Sequence, residues 1–293
     1  MQVVVFSRVY KEKDREHIQH LFDVLHEEQV TVYVQAAYLD QIQDKIDFKN
    51  PVGRFEGYID FQLRRIDFVI TLGGDGTILS AVTEVRDSKV PILGINLGRL
   101  GFLASIERGF IREAIRLLKR GMYSYDDRSL LYLESNRQLF GDLRFALNDI
   151  TLLKRDTSSM IVVRVYINGD YLSSYWADGI IVATPTGSTG YSLSCGGPII
   201  FPNSGNFIIT PVAPHNLNVR PIVISDNSVI SFTVEGRSDN FLCTLDSRFE
   251  PITAEDQLAV RKADFKVRLI QLRDRSFLRT IRDKLTWGID QRN

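Results

Sequence analysis

At 293 residues, with 44% apolar and 25% charged side chains, the chain is long enough for two domains with separate cores and is not a disordered or collagen-like polymer. Its 36 basic and 36 acidic residues cancel, which leaves no general electrostatic footprint for nucleic acid. Two cysteines, Cys195 and Cys243, exclude a disulfide framework and a four-thiolate zinc site, and a reducing cytoplasmic setting is expected. The opening residues turn polar too soon for a signal-peptide core. No apolar run nears the roughly 20 residues of a spanning helix, so neither export nor membrane insertion is expected.

In chain order, residues 2–6 form a short apolar run suited to a buried parallel strand. Ile18, Leu21, Phe22 and Leu25 recur at helical spacing among polar residues and predict an amphipathic helix. Residues 30–34 read as a second strand, and the polar stretch up to Arg65 is broken at Asn50, Pro51 and Gly53. A third strand, 68–72, runs into GGDGT at 73–77, which opens a helix bearing Ile78, Leu79 and Val82. A strand at 91–95, a loop over 96–101 and a helix marked by Ile111, Ala114, Ile115 and Leu118 continue the alternation. This grammar predicts an α/β domain over 1–121 with a doubly wound, mostly parallel sheet.

From Met122 the pattern changes to short β-type runs at 130–133, 145–153 and 160–167. Asn168-Gly169 then predicts a tight hairpin between 162–167 and 171–176. Further runs at 207–209, 229–234, 241–245 and 267–272 extend a predominantly β domain over 122–272. Phe277, Leu278, Ile281 and Leu285 predict a terminal helix in the tail, 273–293, that packs back on one of the domains.

Three stretches have the composition of a binding site. In GGDGT, Gly73, Gly74 and Gly76 allow a tight turn whose N–H groups converge on an anion, and Thr77 stands where it could cap the next helix. Asp75 would repel a phosphate unless a cation intervenes or it faces an acceptor hydroxyl. Phosphoryl transfer uses such a group, since a positioned Asp can orient the attacking hydroxyl and take its proton. A plain β-turn capped by Asp75 is the alternative, and neither GxGxxG nor GxxxxGK[ST] is present.

The second stretch, DGIIVATPTGSTGYSLSCGGP at 178–198, runs from a strand into glycine and small hydroxyl residues. There backbone N–H groups can approach a polar ligand and Ser188 could cap a short helix, although a Gly/Pro-rich hairpin turn would look the same. The third is Asn148 with Asp149, an amide and a carboxylate able to meet a base edge and ribose hydroxyls; a β-bulge or strand end explains them equally. Asp178 reads either as a ligand contact or as a turn residue. His17, His20 and His26 fall on the polar side of the first helix, and neither HExxH nor GxSxG occurs.

Together GGDGT at 73–77, INLGRLGFLA at 95–104, Asn148 with Asp149, and TPTGSTGYSLSCGGP at 184–198 resemble the NAD kinase family in order and spacing. The likeness runs to FLRTIRDKLTWG at 277–288. GGDGT alone recurs in phosphofructokinases and in diacylglycerol or sphingosine kinases; the stretch at 184–198 is far more specific. The resemblance implies an α/β N-terminal domain, a β-rich dinucleotide-binding domain and a tail that returns to the first. It also implies phosphorylation of the adenosine ribose 2′-hydroxyl of NAD by ATP, with a divalent metal such as Mg²⁺, to give NADP, in a homodimer or homotetramer.

On the same resemblance, Asp75 accepts the hydroxyl proton and Gly76 lines its pocket. Asn148 and Asp149 hold the adenosine part, Asp178 meets the nicotinamide end or its ribose, and Thr189, Gly190, Tyr191, Ser192, Leu193 and Ser194 surround the dinucleotide. No protein-borne metal ligand, nucleic acid or membrane partner is implied. The chain departs from the family pattern with Asp149 for the usual Glu, Gly190 where Ala is common, and Trp176 where many members carry Arg. Arg248 is a candidate to replace a lost polar contact. Two other readings are a non-catalytic dinucleotide-binding sensor, and a lipid or sugar kinase sharing only GGDGT.

Overall fold

The apolar run at the start of the chain forms β1 (Gln2–Phe6), and the amphipathic segment after it forms α1 (Arg15–Glu27). Both belong to the first of two compact units in the computed structural model, which describes residues 1–98, 101–104, 106–155, 160–237, 240–272 and 277–286. The first unit comprises Met1–Asp127 and Val267–Asn293, the second Arg128–Lys266. Arg99 and Leu100 of the INLGRLGFLA segment, Trp287 and Gly288 of the terminal segment, and the tail positions 273–276 and 287–293 lie outside the described residues.

In the first unit, β2 (Thr31–Gln35), α2 (Ala36–Ile42), β3 (Gly53–Phe55), α3 (Tyr58–Leu63), β4 (Phe68–Leu72), α4 (Asp75–Val85), β5 (Ile92–Asn96), β6 (Ile106–Glu107) and α5 (Ile111–Lys119) follow. These strands pair only in parallel, in the order β5-β4-β1-β2-β3 with β6 beside β5. Every residue of β4 and β5 is buried, as befits strands covered on both faces. Helix α1 buries Ile18, Leu21, Phe22, Val24 and Leu25 in the unit's core, each stabilising it by about 2 kcal/mol.

The polar stretch up to Arg65 carries no clear periodicity, yet it holds α2, β3 and α3. These elements are too short to repeat a pattern. Local signals set them instead: the Gln35 side chain accepts the Tyr38 N–H at the head of α2, and Gly57, at φ 140°, opens α3. The chain runs from β1 outward through β2 and β3, then returns to β4 on the other side of β1. That reversal between β1 and β4 is the switch point at whose carboxyl edge open α/β sheets bind ligands, and GGDGT follows β4.

The second unit is built from β7 (Ser124–Ser135), which enters it from the first, then β8 (Phe145–Ala146), β9 (Asp149–Lys154), β10 (Ile161–Ile167), β11 (Asp170–Ala177) and β12 (Gly179–Ala183). After α6 (Tyr191–Ser194) come β13 (Asn206–Val212), β14 (Ile222–Ser225), β15 (Ile230–Glu235), β16 (Phe241–Leu245), β17 (Arg248–Ile252) and β18 (Leu258–Gln271). One antiparallel sheet runs β14-β13-β12-β9-β16-β17. A second antiparallel ladder runs β11-β10-β15-β18. Alternating side chains from both, among them Ile150, Leu152, Ile180, Val163, Phe232 and Phe241, make the unit's core.

The hairpin expected at Asn168-Gly169 joins β10 to β11, with φ of 53° and 89° at its two turn residues, as a two-residue turn demands. The strand expected over 145–153 is interrupted between Ala146 and Asp149, because three N–H groups there turn to the Asp246 carboxylate instead. The terminal helix, α7 (Phe277–Leu285), is assigned to the first unit and buries Ile281. The architecture is therefore a parallel α/β domain followed by an antiparallel β domain, closed by a C-terminal helix.

Candidate active site

In the first unit, β4 delivers its chain to Gly73 at φ 149°, where a side chain would stand 2.2 Å from Thr77 Oγ1. Gly74 then precedes α4 in an extended conformation, with no side-chain cap, and Asp75 is the first helical residue. Thr77 is buried inside the first turn of α4 and does not cap it, contrary to expectation; its bulk against Gly73 is what requires glycine there. The Asp75 carboxylate is held by the loop after β5. Oδ2 accepts the Phe102 N–H at 2.8 Å, and Oδ1 accepts those of Leu103 and Ala104, both at 3.0 Å. That approach needs Gly101, since a Cβ on it would lie 1.8 Å from Asp75 Oδ1. Gly76 is exposed on the other side, with the Arg8 guanidinium 3.6 Å from the place its Cβ would take.

The second unit assembles its own cluster where β9 begins and β12 ends, with Asp149 paired to Ala183. The turn after β12 is laced to this corner: Thr184 Oγ1 donates to the Leu147 carbonyl at 2.6 Å, and the Thr184 N–H donates to the Asn148 carbonyl at 2.9 Å. Gly187 sits so close that a Cβ would fall 2.0 Å from the Asn148 carbonyl oxygen. Gly190 faces both functional side chains, its virtual Cβ 3.9 Å from Asp149 Oδ2 and 4.0 Å from Asn148 Nδ2. A methyl group at Gly190 would meet these two side chains at ordinary contact distance; it is the Gly187 carbonyl, 3.3 Å away, that it would crowd.

Electrostatics marks the same corner. Burial, and then the neighbouring Asp246 carboxylate, push the Asp149 carboxyl up to about 7. Tyr191 is raised by burial first, and then by Cys195, Asp178 and Asp149. Asp178 precedes β12 at the far end of the ladder, in an ion pair with Lys154 at 2.6 Å. The five residues of β12 separate it from the Asp149 end, about 17 Å at the usual rise of a strand.

Not every hydroxyl in the second turn is available to a ligand. Ser188 is fully buried, donates to the Pro185 carbonyl and accepts the Ile200 N–H, so it fastens the loop and caps no helix. Ser192 is likewise buried, its hydroxyl bonded to Thr210 at 2.8 Å. Thr189, Gly190 and Leu193 are half-buried, and Tyr191 and Ser194 are exposed. Trp176 stands exposed on β11. Arg248 does not stand in for a missing cation: it donates to the Leu143 and Phe145 carbonyls and lies over the Phe145 ring.

Sequence reasoning missed Gly101 and Asp246. Gly101 stood inside the INLGRLGFLA segment without a role. Asp246 had one signal, an aspartate directly after the apolar strand β16, and it adopts φ 53°, where Asp is among the more tolerated residues.

The chain thus joins an α/β domain, with a carboxylate fixed at its switch point, to a predominantly β domain with a polar corner of its own. Residues 3–123 match the family model of the ATP-NAD kinase N-terminal domain, and residues 147–272 match that of the C-terminal domain. A Cytophaga hutchinsonii protein named NAD kinase is 45% identical over 294 residues, with 100% of each chain covered. The chain belongs to the ATP-NAD kinase family. Its fold is similar to that of yeast NADH kinase complexed with NADH, with a TM-score of 0.86 and 24% identity over 99% of this chain and 88% of that one. It is also similar to an NAD kinase from Archaeoglobus fulgidus in complex with ATP, with a TM-score of 0.75 and 24% identity over 98% and 99% of the two chains.

Proposed function

We propose that this protein transfers the γ-phosphoryl group of ATP to the 2′-hydroxyl of the adenosine ribose of NAD, giving NADP and ADP. The observation that carries the reading is the state of Asp75. A carboxylate offers about four acceptor positions. Backbone N–H groups fill two on Oδ1 and one on Oδ2, which leaves one on Oδ2 in a fixed direction. That position accepts the 2′-hydroxyl proton as its oxygen attacks the γ-phosphorus and the bond to the β-phosphate oxygen breaks, the electron pair leaving with ADP. A lipid or sugar kinase sharing only GGDGT is not favoured, because the family likeness runs the full length of the chain.

The other roles follow the chemistry of each position. Gly76 leaves room beside Asp75, and Asn148 and Asp149 hold the adenosine moiety. Asp178 takes the far ribose, and the backbone of Thr189, Gly190, Ser192 and Leu193, with Tyr191 and Ser194, surrounds the dinucleotide. Among the described residues no group of three or more His, Cys, Asp or Glu side chains could hold a metal ion. The divalent cation, Mg²⁺, enters with the ATP substrate, where it offsets charge on the phosphates. Among the described residues no helix is long and apolar enough to cross a membrane. On the family resemblance, we place the enzyme in the cytoplasm as a homodimer or homotetramer. The test is direct: the purified protein with NAD and Mg-ATP should form NADP, read by an NADP-specific dehydrogenase. No signal above the enzyme-free control would sink the proposal.

A further inference from the structure

The turn between β16 and β17 carries a carboxylate that the reaction does not use. Asp246 is half-buried, and its oxygens are crowded with donors: Oδ2 accepts the Leu147 N–H at 2.9 Å, and Oδ1 accepts those of Asn148 and Asp149 at 2.8 and 3.2 Å. Its own N–H donates to the Asp149 carbonyl at 3.0 Å. Four hydrogen bonds thus tie one residue to the three that lead into β9. They interrupt the strand at that point, and they fix the backbone from which the Asn148 amide and Asp149 carboxylate reach toward Gly190.

Building on the NAD kinase reading, we infer that Asp246 is a positioning residue for the adenosine site: it sets Asn148 and Asp149 in place and stands as a fixed negative charge behind Asp149, so that the dinucleotide binds with release of a proton. Two carboxylates this close do not both ionise readily. Asp246 is the better anion of the two. Desolvation leaves its carboxyl raised on balance, but three backbone N–H groups and Arg248 favour its charged form. Asp149 has no such support, and no hydrogen bond to its carboxylate occurs among the described residues. The proton therefore rests on Asp149, which titrates at about 7.

Ribose hydroxyls or an adenine amino group arriving beside Asp149 would donate to it, which favours the carboxylate and sends its proton to solvent. The other titratable groups near Asp149 are Tyr191 and Cys195 on and after α6, with Arg248 behind Asp246. Burial raises both Tyr191 and Cys195 from starting values of 10.0 and 9.0, so neither titrates near neutrality.

Calorimetry of NAD binding to the full chain at pH 6 and 8, in buffers of different ionisation enthalpy, tests this. The native protein should bind NAD about tenfold more weakly at pH 6 than at pH 8, and should release close to one proton per NAD at pH 6. Asp149→Asn should show no pH dependence over that range. Asp246→Asn keeps a side-chain oxygen and removes the charge, so its pH 6 to pH 8 ratio should shrink to less than about threefold, with weaker binding at pH 8. An Asp246→Asn protein with the native ratio and the native affinity would overturn the inference. If that variant does not fold, an unchanged tenfold ratio in Asp149→Asn does so equally. Absence of NAD binding at every pH would instead remove the NAD kinase reading itself.

Discussion

Asp75 in the first unit and Asp149 in the second both open an element at the rim of a sheet, yet their acceptor oxygens are filled very differently. Three backbone N–H groups converge on Asp75, and Gly101 makes room for them. Asp149 receives none among the described residues; the donors of its corner go to Asp246 instead. A carboxylate whose direction is fixed by the main chain suits a step where one proton must move along one line. A buried carboxylate with unfilled capacity suits recognition, because the ligand supplies the missing donors. In the proposed reaction the same side chain serves chemistry in one place and binding in the other, and the difference lies in the backbone around it.

Moving the support of Asp75 should give the largest effect. Gly101→Ala would place a Cβ 1.8 Å from Asp75 Oδ1, so the loop or the carboxylate must shift. The expected result is a fall in kcat of about 100-fold with NAD affinity nearly unchanged, since a displacement on the order of 1 Å is enough for such a loss. Steady-state kinetics and calorimetry separate the two parameters.

Next in size is Gly187→Ala, which would bring a Cβ to 2.0 Å from the Asn148 carbonyl, a backbone atom unable to step aside cheaply. Overpacking of this kind should lower stability by about 1–3 kcal/mol and raise the KM for NAD. A urea unfolding midpoint equal to that of the native protein would show that the corner is looser than these distances imply.

A pH dependence distinguishes the carboxylates. Asp149 has a raised folded-state pKa of about 7, so the folded protein keeps a proton that the unfolded chain has already released. The contribution of Asp149 to stability therefore falls as pH rises from about 4 to about 7, by at most about 1.4 kcal/mol per unit, and is level above that. Asp149→Asn lacks this decline, and its Tm relative to the native protein should improve from pH 5 to pH 7 and hold at pH 8. Smallest of all, Tyr191→Phe keeps the exposed ring and should change the NAD KM by less than about twofold. Tyr191→Ala should raise it several-fold if the ring packs on the dinucleotide.

Much of the fold could be read because its signals are local and repeated. The alternation of β1, α1, β2 and later β4, α4, β5 is written in apolar runs and helical spacing, and Asn168-Gly169 announces its hairpin. What escaped was short or long-range. The helices at Ala36–Ile42 and Tyr58–Leu63 hold too few turns to show a period. The break in the strand over 145–153 is caused by Asp246, about a hundred positions further on, and no local pattern carries such a partner. The candidate site divides the same way. GGDGT and the turn after β12 stand out by their glycines, whereas the roles of Gly101 and Asp246 depend on contacts that only folding creates. Ser188 looks like a helix cap and Ser192 like a ligand contact in the sequence for the opposite reason: a hydroxyl that fastens a loop to its own core is spelled the same way as one that serves elsewhere.

The contrast between the two carboxylates is tested most directly by measuring kcat and the NAD dissociation constant side by side for Asp75→Asn and Asp149→Asn at pH 8. Asp75→Asn is expected to lose at least about 100-fold in kcat while its NAD affinity stays within about twofold of native. Asp149→Asn is expected to weaken NAD binding several-fold while kcat at saturating NAD stays near native. If Asp75→Asn turned over at the native rate, or if both substitutions acted on the same parameter, the division of labour between the two carboxylates would be contradicted.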